Sequence, residues 1–124
     1  MKGETGEKPL ADIRERTFTF ALRVVKLCQT LDASTGVQRT LSRQLLRSAT
    51  SIGANVEEAH GSQSKADFTA KLSIACKEAR ETHYWLRLLT ASELIAEKRL
   101  QDLTDEANQL IAILTTIVKR CRSG

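Results

Sequence analysis

The sequence predicts an all-α protein, an antiparallel up-down-up-down four-helix bundle. Three observations carry that expectation. Apolar residues recur in steps of three and four through four separate segments. Breakers are scarce, with one Pro and six Gly among 124 residues. The links between periodic segments are short, and short links force neighbouring helices to run antiparallel.

The first helix is expected from about residue 10 to 31. Ile13, Thr17, Phe20, Val24, Leu27 and Leu31 fall on one stripe. The stretch before it, residues 1–9, is polar and is expected to be a flexible tail. Asp32 to Gly36 has no periodicity and serves as the stop.

The second helix is expected over 37–60, with Leu41, Leu45, Ala49, Ile52, Val56 and Ala59 as its apolar stripe. A polar stripe runs beside it: Ser48, Ser51, Asn55 and Glu58. Ala49 and Gly53 read as a packing notch, because glycine inside a helix is tolerated best where another backbone comes close. Gly61 is placed to end this helix in the left-handed conformation.

Ser64, with Asp67 three residues on, resembles a capping box opening the third helix, expected over 65–91. Phe68, Leu72, Ala75, Ala79, Thr82, Leu86 and Leu89 form the cleanest heptad seam in the chain. Leu94 and Ile95 in the next link are expected to pack down. The fourth helix is expected over 97–121, on Leu100, Leu103, Ala107, Leu110, Leu114, Ile117 and Cys121. Lys119, Arg120 and Arg122 gather at its end, where cations favour the helix dipole. Residues 10–124 thus form one bundle domain.

Composition narrows the function classes. No apolar run approaches the roughly 20 residues of a membrane span, so no membrane partner is expected. The N-terminus lacks the apolar core of a signal peptide. Cys28, Cys76 and Cys121 are widely spaced and odd in number, which suits reduced thiols in a cytoplasm. A net charge of +4 is compatible with nucleic acid without requiring it.

Catalytic chemistry finds little support, and no enzyme activity and no cofactor are expected. Glu57 and His60 have the Glu-x-x-His spacing of di-iron bundles, but the only other histidine, His83, lacks the matching glutamate. No metal site is expected. Ser48, Ser51 and Cys76 have no partnered histidine, and no phosphate-binding glycine loop is present.

Two surfaces remain. Hairpin pairing of the second and third helices is expected to place Arg47 near Glu78, Arg43 near Glu81, and Ser51 near Ser73 or Ile74. Ser48, Ser51, Asn55, Glu58, Glu78 and Glu81 would then form a polar network that sets register. Lys77, Arg80, Tyr84 and Arg87 step along the outer side of the third helix, and Arg39, Arg43 and Arg47 along the second. Cations interleaved with an aromatic are the ingredients of phosphate contact and base stacking. The plainer reading is a solvated, ion-paired face. Phe18, Leu22, Val25, Leu46, Ile74, Trp85, Leu88, Ile111, Ile113 and Val118 exceed what a narrow two-position seam uses, and many are expected to widen the core face of the monomer. That excess suggests burial of a flank against another copy.

The stretch from Ser51 to Leu89 resembles the bacterial family of 23S rRNA intervening-sequence proteins. The matching positions are Arg47, Ser48, Ser51, Ile52, Asn55, Glu58, Ser64, Lys65, Phe68, Leu72, Ile74, Ala75, Glu78 and Glu81. Ala59 stands where the family usually has Gly. The resemblance implies a cytoplasmic, non-enzymatic bundle similar to members that form ring-like homopentamers. Related bundles, the accessory variability determinants of diversity-generating retroelements, are basic pentamers that partner a reverse transcriptase and bind nucleic acid. The expected partners are therefore other copies of the chain, structured RNA or another nucleic acid, or a partner protein held by an adaptor surface.

Overall fold

The computed structural model describes residues 7–31 and 34–123, with side chains from Asp12 onward. Four helices follow one another: α1 (Glu7–Thr30), α2 (Gly36–His60), α3 (Lys65–Ala91) and α4 (Glu97–Ser123). No strand occurs among the described residues.

Cross-helix pairs establish the topology. Between α1 and α2, Arg14 meets Glu57 while Cys28 meets Ser42. Between α2 and α3, Glu58 meets Lys71 while Ser48 meets Thr82. Between α3 and α4, Ser73 meets Arg122 while Cys76 meets Thr115. Between α4 and α1, Arg16 meets Glu106 while Thr30 meets Arg99. In every pair of helices one number rises as the other falls, so each helix runs antiparallel to both its neighbours.

The heptad seams converge on one core. Phe20, Leu45, Ile52, Leu72, Leu86, Leu110 and Leu114 are fully enclosed. Each contributes about 1.5–3 kcal/mol by leaving water. Ile95 is also buried, so the link between α3 and α4 packs down as its apolar residues require. Turning the chain there puts Glu93 at a φ of 62°, a left-handed conformation that side chains adopt at a cost.

Several local expectations need correction. Residues 7–9, expected in the flexible tail, belong to α1, which begins at Glu7. Pro9 is tolerated in the first turn, where its missing N–H has no partner to lose. Residues 1–6 of that tail, and Asp32 and Ala33 of the first link, lie outside the described residues. Gly61 does end α2, but at φ −90° rather than in the left-handed region. The turn closes instead through the Gly61 N–H, shared between the Glu57 and Glu58 carbonyls, and the Ser62 N–H donating to the Ala59 carbonyl. Ser64 caps α3 by accepting from the Asp67 N–H at 3.0 Å.

The notch at Ala49 and Gly53 faces α1. A methyl group on Gly53 would lie 3.4 Å from the Thr17 carbonyl oxygen. At the far end of α4 the seam drifts: Val118 is buried and Ile117 only partly so. A helix turns every 3.6 residues and the heptad every 3.5, so a straight helix moves its buried position by one residue over several turns.

Candidate nucleic-acid interface

All seven candidate cationic-face residues lie outside the core. On α3, Lys77, Arg80, Tyr84 and Arg87 are exposed, opposite the buried seam of Leu72, Ala75, Ala79 and Leu86. On α2, Arg39, Arg43 and Arg47 are exposed as well. The two rows share one half of the bundle's length, yet they open onto different grooves.

Arg47 is engaged within the bundle. It forms an ion pair with Glu81 and stands 3.6 Å from Glu78. Glu81 in turn accepts a 3.1 Å hydrogen bond from the Trp85 indole N–H. The Trp85 bond, aided by Arg47, holds the Glu81 carboxyl below its usual range against the opposing effect of burial. The Tyr84 ring then meets the Trp85 ring edge-on, with centroids 5.2 Å apart. One chain of contacts thus runs from Arg47 through Glu81 and Trp85 to an exposed tyrosine.

The polar network on α2 and α3 is only partly a cross-helix ladder. Ser48 and Thr82 join the two helices inside the core, and Glu58 joins Lys71 at the surface. Ser51 and Asn55 instead bond along α2, the Asn55 amide donating to the Ser51 carbonyl at 2.9 Å. Arg47 does reach Glu78, as expected, but Glu81 also pairs with Arg47 and not with Arg43. Side-chain pairings therefore lie up to about one turn from those expected. The cause is geometric: helical side chains lean toward their own N-terminus. Across an antiparallel pair the two leans point in opposite directions, so the partners' Cα positions are offset.

Arg39 and Arg43 edge an α1–α2 groove of about 630 Å³ walled by Val25, Cys28, Leu31 and Leu46. Burial pushes the Cys28 thiol up, which disfavours its reactive thiolate. Phe18 and Leu22 continue the stripe of Val25 along α1 and are 71% and 44% exposed. This flank is apolar with two arginines at one end.

Lys77 and Arg80 edge a different groove, between α3 and α4, of about 370 Å³. Lys119 and Arg122 form its opposite rim. Sequence reasoning assigned those two to the helix dipole. Their place facing α3 depends on how the helices are arranged around the bundle, for which one helix's periodicity gives no signal. Among the described residues, no carboxylate lies within 4.0 Å of any of these four cations.

The Glu57 and His60 spacing builds nothing further. Glu57 pairs with Arg14, which holds its carboxyl below the usual range, and His60 is exposed at the helix end. Among the described residues, no group of three or more His, Cys, Asp or Glu side chains is placed to hold a metal ion. No helix among them is long and apolar enough to cross a membrane.

An up-down four-helix bundle with a cationic α3–α4 groove and an apolar α1–α2 flank defines the class of protein. The model of the family described as 23S rRNA-intervening sequence protein matches residues 11–116, and the chain belongs to that family. A crystal structure of a protein of unknown function from the S23 ribosomal protein family of Bacteroides thetaiotaomicron is similar, with a TM-score of 0.81 and 39% identity. That match covers 90% of this chain and 98% of the other. Among proteins of curated function, none matches.

Proposed function

We propose that this is a non-catalytic, homo-oligomeric bundle of the cytoplasm that binds structured RNA or another nucleic acid through its cationic helix faces. The observation that carries the reading is the row Lys77, Arg80, Tyr84 and Arg87, exposed along α3. Cations supply phosphate contact and an exposed aromatic supplies a stacking surface. Assembly with other copies, which the family resemblance makes a homopentamer, is supported by exposed Phe18 and Leu22, which a monomer leaves in water.

The test is binding of ribosomal RNA fragments across a salt series. Affinity should fall steeply with salt, and each phosphate-contacting cation removed should reduce the slope by about one. Absence of binding at low salt would overturn the reading. Mass in solution tests assembly, and a monomer would overturn that part.

The same apolar flank favours a second reading, an adaptor that holds a partner protein and has no nucleic-acid role. One protein recovered in stoichiometric amount and unaffected by nuclease would support it over the first.

A further inference from the structure

The two cationic rows meet different surroundings. Arg39 and Arg43 stand beside apolar walls, and Arg47 is spent on Glu81 and Glu78. Lys77, Arg80, Lys119 and Arg122 instead face one another across the α3–α4 groove. Its floor is made by Ser73, Cys76, Thr115 and Val118, with polar contacts between the helices at two levels. Cys76 Sγ lies 3.3 Å from Thr115 Oγ1, and Arg122 donates to Ser73 Oγ at 3.2 Å. Glu81 attracts Lys77 through space but forms no ion pair with it. Four exposed cations, with no carboxylate within 4.0 Å among the described residues, suit a chain of phosphates better than an uncharged ligand.

Tyr84 lies one helical turn beyond Arg80, with Arg87 three residues further on. The row from Lys77 to Arg87 spans about 15 Å at 1.5 Å per residue. The Tyr84 ring is 52% exposed and braced against Trp85. A braced, exposed ring can accept a base on its face. In a duplex the bases are already stacked on one another, so the ring gains nothing there.

We infer that the α3–α4 groove takes the backbone of an unpaired nucleic-acid strand, with Tyr84 stacking a base and Lys119 and Arg122 joining Lys77 and Arg80 on its phosphates. This rests on the nucleic-acid reading above and narrows it to single-stranded stretches, such as the loops of a structured RNA. Arg47 is then a positioning residue. It touches no phosphate and acts on Tyr84 through Glu81 and Trp85.

Trp85 is the only tryptophan in the chain and reports on the site directly. The experiment titrates the full chain with an unpaired RNA of about twelve nucleotides, within the usual site sizes for single strands, and with a duplex of equal length. Trp85 emission and the anisotropy of labelled RNA are both recorded. The unpaired strand should bind at least about tenfold more tightly, a difference of about 1.4 kcal/mol, and change Trp85 emission. Tyr84→Ala should remove that preference, and Tyr84→Phe should keep it. Lys119→Glu with Arg122→Glu should weaken binding at least about tenfold. Arg47→Met should reduce the preference while leaving the salt slope unchanged, which a lost phosphate contact would not do. Far-UV circular dichroism checks that each variant is folded.

Equal binding of duplex and unpaired strand would overturn this inference and leave the broader reading standing. Loss of binding in Arg39→Glu with Arg43→Glu, but not in the Lys119 and Arg122 variant, would overturn the groove assignment. Absence of any binding at low salt would sink both.

Discussion

The Thr82 hydroxyl lies 2.9 Å from the Ser48 hydroxyl, and neither side chain touches solvent. The Thr82 oxygen is also 2.8 Å from the Glu78 carbonyl of its own helix, and Ser48 is 3.3 Å from the Leu45 carbonyl. Two hydroxyl protons therefore serve three contacts, and removing one side chain leaves the other only the carbonyl of its own helix. Thr82→Val keeps the shape and should cost about 0.5–1.5 kcal/mol, the net worth of one hydrogen bond. Ser48→Ala should cost a similar amount. Changing both should cost less than the two single losses added together. Urea unfolding of the four proteins closes the cycle, and simple additivity would show that the pair does not act as a unit.

Gly53 separates two effects that usually travel together. Alanine there adds a methyl group at 3.4 Å from the Thr17 carbonyl, an ordinary contact, while helix propensity favours it by up to about 1 kcal/mol. Gly53→Ala should therefore be neutral or stabilising by about 0.5–1 kcal/mol. Gly53→Leu must push α1 away and should destabilise by about 1–3 kcal/mol. Thermal unfolding distinguishes the two, and a damaging alanine would mean that α1 sits closer than the contact distance implies.

Acid should loosen the contacts around Glu81. Its pKa is lowered from 4.5, first by the Trp85 hydrogen bond and then by Arg47, with burial opposing. A carboxylate with a depressed folded-state pKa stabilises the fold fully above its unfolded value. That contribution disappears as the pH falls through the folded value. The stability advantage of the natural protein over Glu81→Gln should thus hold above about pH 5 and shrink below it. Trp85 emission should move over the same interval. An advantage independent of pH would show that the Glu81 charge is not what matters.

Glu93 carries backbone strain with no observed compensation. Its φ of 62° is left-handed and its side chain is exposed. Holding a side chain there costs about 1–2 kcal/mol, part of which glycine returns as unfolded-state entropy. Glu93→Gly should raise stability by about 0.5–1 kcal/mol, measurable as a higher unfolding temperature. A lower temperature would mean that the Glu93 side chain makes a contribution of its own.

The fold was legible because each seam repeats for several turns. Leu72, Ala75, Ala79, Leu86 and Leu89 are buried as their spacing requires. What escaped notice lies between helices. Counting outward from the turn placed Arg43 opposite Glu81, because counting ignores the lean of side chains toward their N-termini. The spacing of Lys77 and Arg80 marks them as outward, but their proximity to Lys119 and Arg122 depends on which helix stands beside which. Glu93 gave no warning, since only the geometry of the link demands its conformation.

Among the described residues, α1 and α4 meet through contacts that span 90 residues, as in Arg16 with Glu106, and 69, as in Arg99 with Thr30. The neighbouring pairs α1–α2, α2–α3 and α3–α4 are hairpins, each of which can close on its own short link. Three of the four helix pairs close across short links, and the α1–α4 pair closes only across most of the chain. The loop entropy of that closure grows only with the logarithm of its length, so the topology belongs among the fast folders. The first and last helices are the joint that completes the barrel of staves, and the place where it would come apart first.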